Sequence, residues 1–347
     1  MCLKKHIFVM SYLVLLVHNI DALMPFNAWG ADMSYANQVK SVKKHMNQVA
    51  VEQVSIESKE NEVSGKFFKR NALLAKRPNA LGTVIYCHGY TSSKHESFFF
   101  KTFLPHFNAL AFDFRAHGEL TQGQKSTIGA DEIYDVQAAV EYVKNHPDLQ
   151  GKPIIGFGFS MGAVSLLRAQ GRWQNLFDAL ILDSPFDSGQ DCMSQGLDKM
   201  MEFKFLGKKY HIPGKNLIMK SLYNPYLSPM VKQIFKWVTG FNPNEIPTKF
   251  VPVAPIDSAP NIKVPCLFFA CVKDNKVPVD AVRRIYQAVN SPFKRMWITH
   301  GFKHCSSFIS NPELYWYKIN SFVRKVLDNE MTEKEKIVDD RVTISVI

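Results

Sequence analysis

One pentapeptide restricts the fold of this chain more than any other feature: Gly158-Phe159-Ser160-Met161-Gly162. It follows directly on the apolar run from Ile154 to Phe159 and precedes a stretch that is compatible with a helix. A GxSxG sequence between a strand and a helix is typical of a sharp turn that strains the serine backbone, with glycines where larger side chains would collide. The sequence therefore predicts a strand, turn and helix with Ser160 as a candidate nucleophile. The alternative is a turn serine beside a tightly packed helix.

Short apolar runs recur along the chain and are typical of strands buried on both faces of a sheet. They cover Thr83 to Cys87, Ala109 to Phe114, Pro153 to Phe159, Ala179 to Asp183, Pro265 to Cys271 and Arg295 to Thr299. Between several of them the apolar residues take helical spacings of three and four, as in Ile133, Val136 and Val140. Alternating strands and helices predict an α/β fold with a mostly parallel central sheet flanked by helices.

Further elements flank this alternation. An antiparallel hairpin is predicted from about Gln48, with a turn at Lys59 to Asn61 and a second stretch through Phe68. One helix should follow Ser160, another should begin where Asp280 can cap it, and a closing helix should cover Leu314 to Leu327.

The interval between Asp187 and Pro260 is far longer than a simple crossover requires, which predicts an inserted domain. We expect the α/β core to cover residues 23–186 and 261–330, a mainly helical cap to cover 187–260, and a flexible tail to cover 331–347. Met and aromatic residues in the cap favour an adaptable apolar surface above a pocket, although they equally suit the cap's own core.

The N-terminal residues resemble a secretory signal peptide. Lys4 and Lys5 precede the apolar stretch from Ile7 to Val17, and the small residues Ala22 and Ala31 are both candidate cleavage sites. The apolar stretch is shorter than the roughly 20 residues of a membrane-spanning helix, so a permanent anchor is the less favoured interpretation. We expect residues 1–22 to be a signal peptide and the protein to be secreted or periplasmic.

A nucleophilic serine requires a base, and the base requires an orienting acid. Asp274 follows the predicted strand ending at Cys271, and His304 follows the one ending at Thr299, which gives the order Ser160, Asp274, His304. Asp183 also ends a strand and is the alternative acid. His300 and His304 lie four residues apart, but the intervening Glu of a zinc-binding HExxH motif is absent, so we predict no metal site.

These motifs together resemble the α/β-hydrolase superfamily, in the serine esterase, lipase and thioesterase branches that carry a cap after the sixth strand. The resemblance covers roughly residues 48–328 and includes Cys87-His88-Gly89-Tyr90 and Asp113-Phe114-Arg115-Ala116-His117-Gly118. It implies that the backbone N–H groups of Tyr90 and Met161 form an oxyanion hole and that no cofactor is required. At the position of Ala116 the family more often has Gly.

The chain carries 42 Lys and Arg residues against 31 Asp and Glu residues, a net charge of +11. This charge favours anionic partners and transient contact with a membrane surface, but the lysines are dispersed and lack a nucleic-acid recognition motif, so we predict no nucleic-acid binding. We expect a serine hydrolase of carboxylic esters, including lipid-like acyl esters or thioesters. The alternatives are a serine peptidase or aminopeptidase-like hydrolase and a non-catalytic binding protein of the same fold.

Overall fold

The computed structural model describes residues 49–192, 194, 202–205, 208–211 and 246–328, together with 221, 224, 227, 230, 233 and 236. The predicted signal peptide at residues 1–22, its cleavage sites, residues 23–48 of the predicted core, about half of the predicted cap and the predicted tail at 331–347 lie outside the described residues. The domain boundaries therefore stay predictions.

An eight-stranded sheet forms the centre of the described chain. Its strands are β1 (Val51–Lys59), β2 (Phe67–Ala75), β3 (Thr83–Cys87), β4 (Asn108–Phe112), β5 (Ile154–Phe159), β6 (Ala179–Asp183), β9 (Cys266–Cys271) and β10 (Lys294–Thr299). Their order across the sheet is β1-β2-β4-β3-β5-β6-β9-β10. Only the pairings of β2 with β1 and with β4 are antiparallel within this sheet. The prediction of a mostly parallel sheet is confirmed.

The predicted N-terminal hairpin is present, but its connection is longer than expected. β1 and β2 pair from Val51 with Ala75 to Lys59 with Phe67. The Asn61 side chain accepts hydrogen bonds from the N–H groups of Val63 and Ser64 at 2.9 and 2.8 Å. These bonds bend the chain into a loop, so that the second strand begins only at Phe67.

Helices cover both faces of the sheet. They are α1 (Lys94–Phe98), α2 (Glu132–Asn145), α3 (Met161–Trp173), α4 (Val279–Ala288), α5 (Ser307–Ser310) and α6 (Pro312–Leu327), with 3₁₀ turns at Phe99–Phe103 and Pro255–Asn261. In the part of the chain that is described, no helix has the length and apolarity needed to span a membrane.

Two helix starts differ from the sequence prediction. Asp280 does not cap α4, because the helix begins at Val279 and Asp280 lies in its first turn. The closing helix begins at Pro312, two residues before the predicted Leu314. The Asn311 side chain accepts the Leu314 N–H at 3.0 Å and so satisfies one of the N–H groups that a helix start leaves without an intrahelical acceptor.

The core has two halves, one on each face of the sheet. Along β5, Ile154 belongs to the half under α2, α3 and α4, and the next residue, Ile155, belongs to the half under α6. Because both halves are covered, every residue of β3, β4, β6 and β9 is buried. This explains why the strands are continuous apolar runs in the sequence.

The described part of the predicted cap includes a short antiparallel hairpin of β7 (Glu202–Phe205) and β8 (Lys208–His211). The prediction of a mainly helical cap did not include these two strands. The ends of the insertion lie side by side. The Gly189 N–H donates to the Val253 carbonyl at 2.8 Å, and the Ile256 N–H donates to the Asp187 carbonyl at 3.2 Å. The core strands β6 and β9 can therefore pair directly despite the long interval between them.

Candidate active site

Ser160 occupies a strained turn between β5 and α3. Its φ of 49° lies in the left-handed region that non-glycine residues rarely adopt, and its N–H donates to the Asp183 carbonyl at 2.8 Å. Close packing requires glycine on both sides. A Cβ on Gly158 would lie 2.6 Å from the Ala163 nitrogen, and one on Gly162 would lie 2.2 Å from the Cys87 carbonyl oxygen. The two glycines thus permit the turn that places the serine at the sheet edge.

The three side chains predicted to act together are connected by two hydrogen bonds, both made by His304. Ser160 Oγ is 2.7 Å from His304 Nε2, although 144 residues separate them, and His304 Nδ1 is 2.8 Å from Asp274 Oδ2. With Nδ1–H donating to the carboxylate, Nε2 is left to accept the serine proton. This is the arrangement in which a serine hydroxyl can be deprotonated as it attacks.

Backbone hydrogen bonds orient the carboxylate. The second oxygen, Asp274 Oδ1, accepts the N–H groups of Lys276 and Val277 at 2.8 and 2.9 Å. Since that oxygen is occupied, the other one faces His304. The side chain of Asp274 is almost fully buried, which excludes water from its bond to the imidazole.

The loop that carries His304 is fixed by Ser306. The Lys303 N–H donates to Ser306 Oγ at 3.1 Å, and that hydroxyl donates to the Lys303 carbonyl at 2.6 Å. His300, at the start of the same loop, is exposed. Among the described residues, no group of three or more His, Cys, Asp or Glu side chains is placed to hold a metal ion.

Asp183, the alternative acid, has different partners. Its side chain is buried, and its two oxygens accept the hydroxyls of Ser184 and Tyr315, each at 2.9 Å. The hydrogen bond to the imidazole goes to Asp274 instead. Burial raises the pKa of Asp183 to about 6. In this structure Asp183 supports the turn of Ser160 through its carbonyl and ties the end of β6 to α6.

The two residues implied as oxyanion donors lie beside Ser160. Met161 is the first residue of α3, and the N–H groups of a first helical turn have no acceptor within the helix. Tyr90 follows Gly89 in the loop after β3, and a Cβ on Gly89 would lie 3.7 Å from the Ser160 Cβ. The phenol hydroxyl of Tyr90 is bonded at 2.6 Å to Thr248 Oγ1, which fixes this loop to the C-terminal part of the insertion.

Two buried histidines connect the loops that border the site. His88 Nε2 accepts the Phe114 N–H at 3.0 Å, and His117 Nε2 accepts the Thr91 N–H at 3.3 Å. Burial lowers the pKa of both imidazoles, that of His88 to about 3, so both are neutral acceptors. Ala116, where the family more often has Gly, has a φ of 63°, a conformation that glycine adopts without strain.

A buried cluster of charged side chains supports the loop after β4, which contains Arg115 and His117. Asp135 accepts Arg70 Nε at 3.0 Å, Arg115 Nε at 3.1 Å and the Ser58 hydroxyl at 2.5 Å. Burial opposes ionisation of this carboxylate, but the charge of Arg115 and then that of Arg70 outweigh it and lower its pKa to about 2. Arg70 and Ser58 approach this carboxylate from the β1–β2 hairpin, a contact that no pattern in the sequence indicated.

The five cysteines of the described chain are free thiols. They are Cys87, Cys192, Cys266, Cys271 and Cys305. Burial raises the pKa of each, which keeps the thiols protonated at neutral pH.

A mostly parallel sheet flanked by helices, with a strained serine between a central strand and a helix, defines a hydrolase of the α/β class. A family model for the alpha/beta hydrolase family matches residues 84–315. The chain belongs to this family, and the resemblance predicted from its motifs is confirmed.

Relatives and solved structures extend the comparison. The uncharacterized protein YqkD of Bacillus subtilis is 28% identical over 251 residues, covering 71% of this chain and 72% of that protein. The uncharacterized protein YfhR of Escherichia coli is 29% identical over 138 residues, 38% of this chain and 48% of that one. The solved Pyrococcus furiosus esterase Pf2001 has a TM-score of 0.57 at 24% identity, covering 87% of this chain and 99% of its own. An acylaminoacyl peptidase of Pyrococcus horikoshii has a TM-score of 0.56 at 14% identity, covering 90% of this chain and 46% of its own. These solved structures share the fold.

Proposed function

We propose that this protein is a serine hydrolase that cleaves carboxylic esters through an acyl-enzyme intermediate. One observation carries the proposal: the Ser160 hydroxyl is 2.7 Å from an imidazole whose other nitrogen is 2.8 Å from a buried carboxylate. A hydroxyl in this setting can attack an acyl carbonyl, whereas a turn serine without a base cannot.

The reaction proceeds in two halves. Ser160 attacks the acyl carbonyl while His304 Nε2 takes the hydroxyl proton, and the imidazolium then gives that proton to the leaving alcohol. In the second half, water attacks the acyl-enzyme with His304 again as base, and Ser160 is regenerated as the acid leaves. Asp274 holds the imidazole in the required tautomer and stabilises its charged form.

The negative oxygen of each tetrahedral intermediate is bound by the N–H groups of Tyr90 and Met161. Fixed donors of this kind contribute about 3–4 kcal/mol each to catalysis when they point at the developing oxyanion. The buried His88 and His117 keep the Tyr90 loop in place, and the start of α3 fixes Met161. No cofactor takes part in these steps.

Esters are the favoured substrates because an alcohol leaves more readily than an amine. Similarity to the esterase of Pyrococcus furiosus supports this choice. Similarity to the acylaminoacyl peptidase of Pyrococcus horikoshii supports a second candidate, hydrolysis of a terminal acylaminoacyl or peptide bond. A non-catalytic binding protein is disfavoured, since all three positions of the hydrogen-bonded set hold competent residues.

The physiological substrate is proposed to be a lipid-like acyl ester or thioester, which matches the Met and aromatic content of the insertion at residues 187–260. The lysines before the apolar N-terminal stretch support a signal peptide and a secreted or periplasmic protein.

The test is hydrolysis of ester, thioester and aminoacyl series of increasing acyl length by the purified protein. We expect ester cleavage in the wild type and its loss in Ser160→Ala, with full activity in Ser310→Ala, a matched change at an exposed serine. Inactivity toward all three series in well-folded protein would refute ester hydrolysis, and faster cleavage of the aminoacyl series would favour the peptidase.

A further inference from the structure

The loops that carry Asp274 and His304 leave the sheet side by side at its edge. β9 and β10 are neighbouring parallel strands that end together at Cys271 and Thr299, and the Val272 N–H donates to the Thr299 carbonyl at 2.9 Å. The carboxyl ends of parallel strands lie at one edge of a sheet, so residues 272–278 and 300–306 form one continuous border of the candidate active site.

Each of these loops exposes a large apolar side chain followed by a lysine. Val272 is 53% exposed and Phe302 is 57% exposed, and the next residues, Lys273 and Lys303, are exposed as well. Lys303 Nζ lies 5.6 Å from the centre of the Phe302 ring. We call Val272, Lys273, Phe302 and Lys303 the cationic rim.

The charge of this border is one-sided. Residues 272–278 and 300–306 contain Lys273, Lys276 and Lys303, and their one acid, Asp274, is buried and bonded to His304. On the adjoining helix α4, Asp280 pairs with Arg283 at 2.8 Å. The surface therefore presents positive charge around two apolar side chains.

We propose that the cationic rim docks the protein on an anionic lipid surface, with Val272 and Phe302 inserted at the headgroup boundary and the lysines at the phosphates. The substrate would then be an ester lipid in that surface, an assignment that rests on the proposed ester hydrolysis. The two side chains expose on the order of 200 Å² of apolar area. That area suits shallow insertion beside basic residues, whereas a stable protein interface requires about 800 Å² from each partner.

The test is co-sedimentation of the full chain with phosphatidylcholine vesicles, with and without phosphatidylglycerol. Each lysine near an anionic surface contributes about fivefold to binding at low salt. We expect Lys273→Gln with Lys303→Gln to weaken binding to the anionic vesicles about 25-fold, and Val272→Ser with Phe302→Ser to weaken it at least about tenfold.

The opposite edge of the sheet supplies a matched control. Val63 and Phe67 are 93% and 56% exposed in the β1–β2 hairpin, and the exposed Lys66 lies between them. Val63→Ser with Phe67→Ser should leave vesicle binding unchanged. Hydrolysis of a short soluble ester should stay within about twofold of wild type in every rim variant, because the hydrogen bonds by which Lys303 holds the His304 loop come from its backbone, which the substitutions keep.

Several results would overturn the proposal. One is failure of the wild type to bind anionic vesicles, and another is an equal loss of binding in the control pair. Binding that depends on the lysines and not on Val272 and Phe302 would mean simple electrostatic adsorption. Binding of polyglutamate through the rim without binding of vesicles would identify a docking surface for an acidic protein. If the wild type did not hydrolyse the short soluble ester, the proposed function would be refuted. The vesicle-binding measurement does not depend on that activity and would give the same result.

Discussion

Replacement of Asp183 by Asn should change stability in a way that depends on pH. Burial raises the pKa of this carboxyl from 3.8 to about 6 in the folded protein, a difference that corresponds to about 3 kcal/mol. Between these two values the folded state binds more protons than the unfolded state, so the free energy of unfolding falls as pH rises and levels off above about pH 6. The asparagine in Asp183→Asn cannot ionise, so the free energy of unfolding of this variant does not fall with pH in this way.

The free energy of unfolding of Asp183→Asn, relative to wild type, should therefore rise by about 2.5 kcal/mol between about pH 4 and about pH 7.5. Urea denaturation at a series of pH values measures this directly, provided that the m-value stays the same. Asp191→Asn, at an exposed position, controls for the general effect of removing one negative charge. A difference between variant and wild type that is constant with pH, or that falls as pH rises, would refute the reasoning.

Three further predictions concern catalysis and packing. Asp274→Asn should lower kcat for ester hydrolysis by about 10⁴ by stabilising the wrong tautomer of His304, whereas Asp183→Asn should change kcat little; the reverse order would exchange the two roles. Gly162→Ala should lower the free energy of unfolding by about 1–3 kcal/mol in urea denaturation, because its Cβ would lie 2.2 Å from a carbonyl oxygen, and a neutral effect would contradict the tight turn. Asp135→Asn should lower the free energy of unfolding by about 3–5 kcal/mol, because it leaves two buried guanidinium groups without their counter-ion. A loss below about 1 kcal/mol would contradict the claim that this cluster stabilises the fold.

Local patterns in the sequence were sufficient to predict most of the core. Strands buried on both faces are continuous apolar runs, and α2 has its apolar residues at helical spacing, so both could be recognised without tertiary information. The GxSxG turn fixed the position of Ser160. Since the acid and the base of such a site follow strands of the same sheet, the positions of Asp274 and His304 could also be predicted.

Contacts between distant residues could not be predicted in this way. Tyr315 bonds to Asp183 across 132 residues, and Arg70 bonds to Asp135 across 65, with no periodic pattern connecting either pair. The choice between Asp183 and Asp274 depended on such contacts, because both residues follow a strand. Helix starts were also difficult to predict from local patterns. Asp280 has a good capping side chain, but α4 begins one residue earlier, at Val279.

The central claim is that the imidazole of His304 activates the Ser160 hydroxyl. Intact-mass and peptide-mass measurements after reaction with a fluorophosphonate test this claim most directly. We predict one adduct per chain on the peptide that contains Ser160, no adduct in Ser160→Ala, and labelling slowed by orders of magnitude in His304→Ala. An adduct on another residue, or labelling of His304→Ala at the wild-type rate, would contradict it.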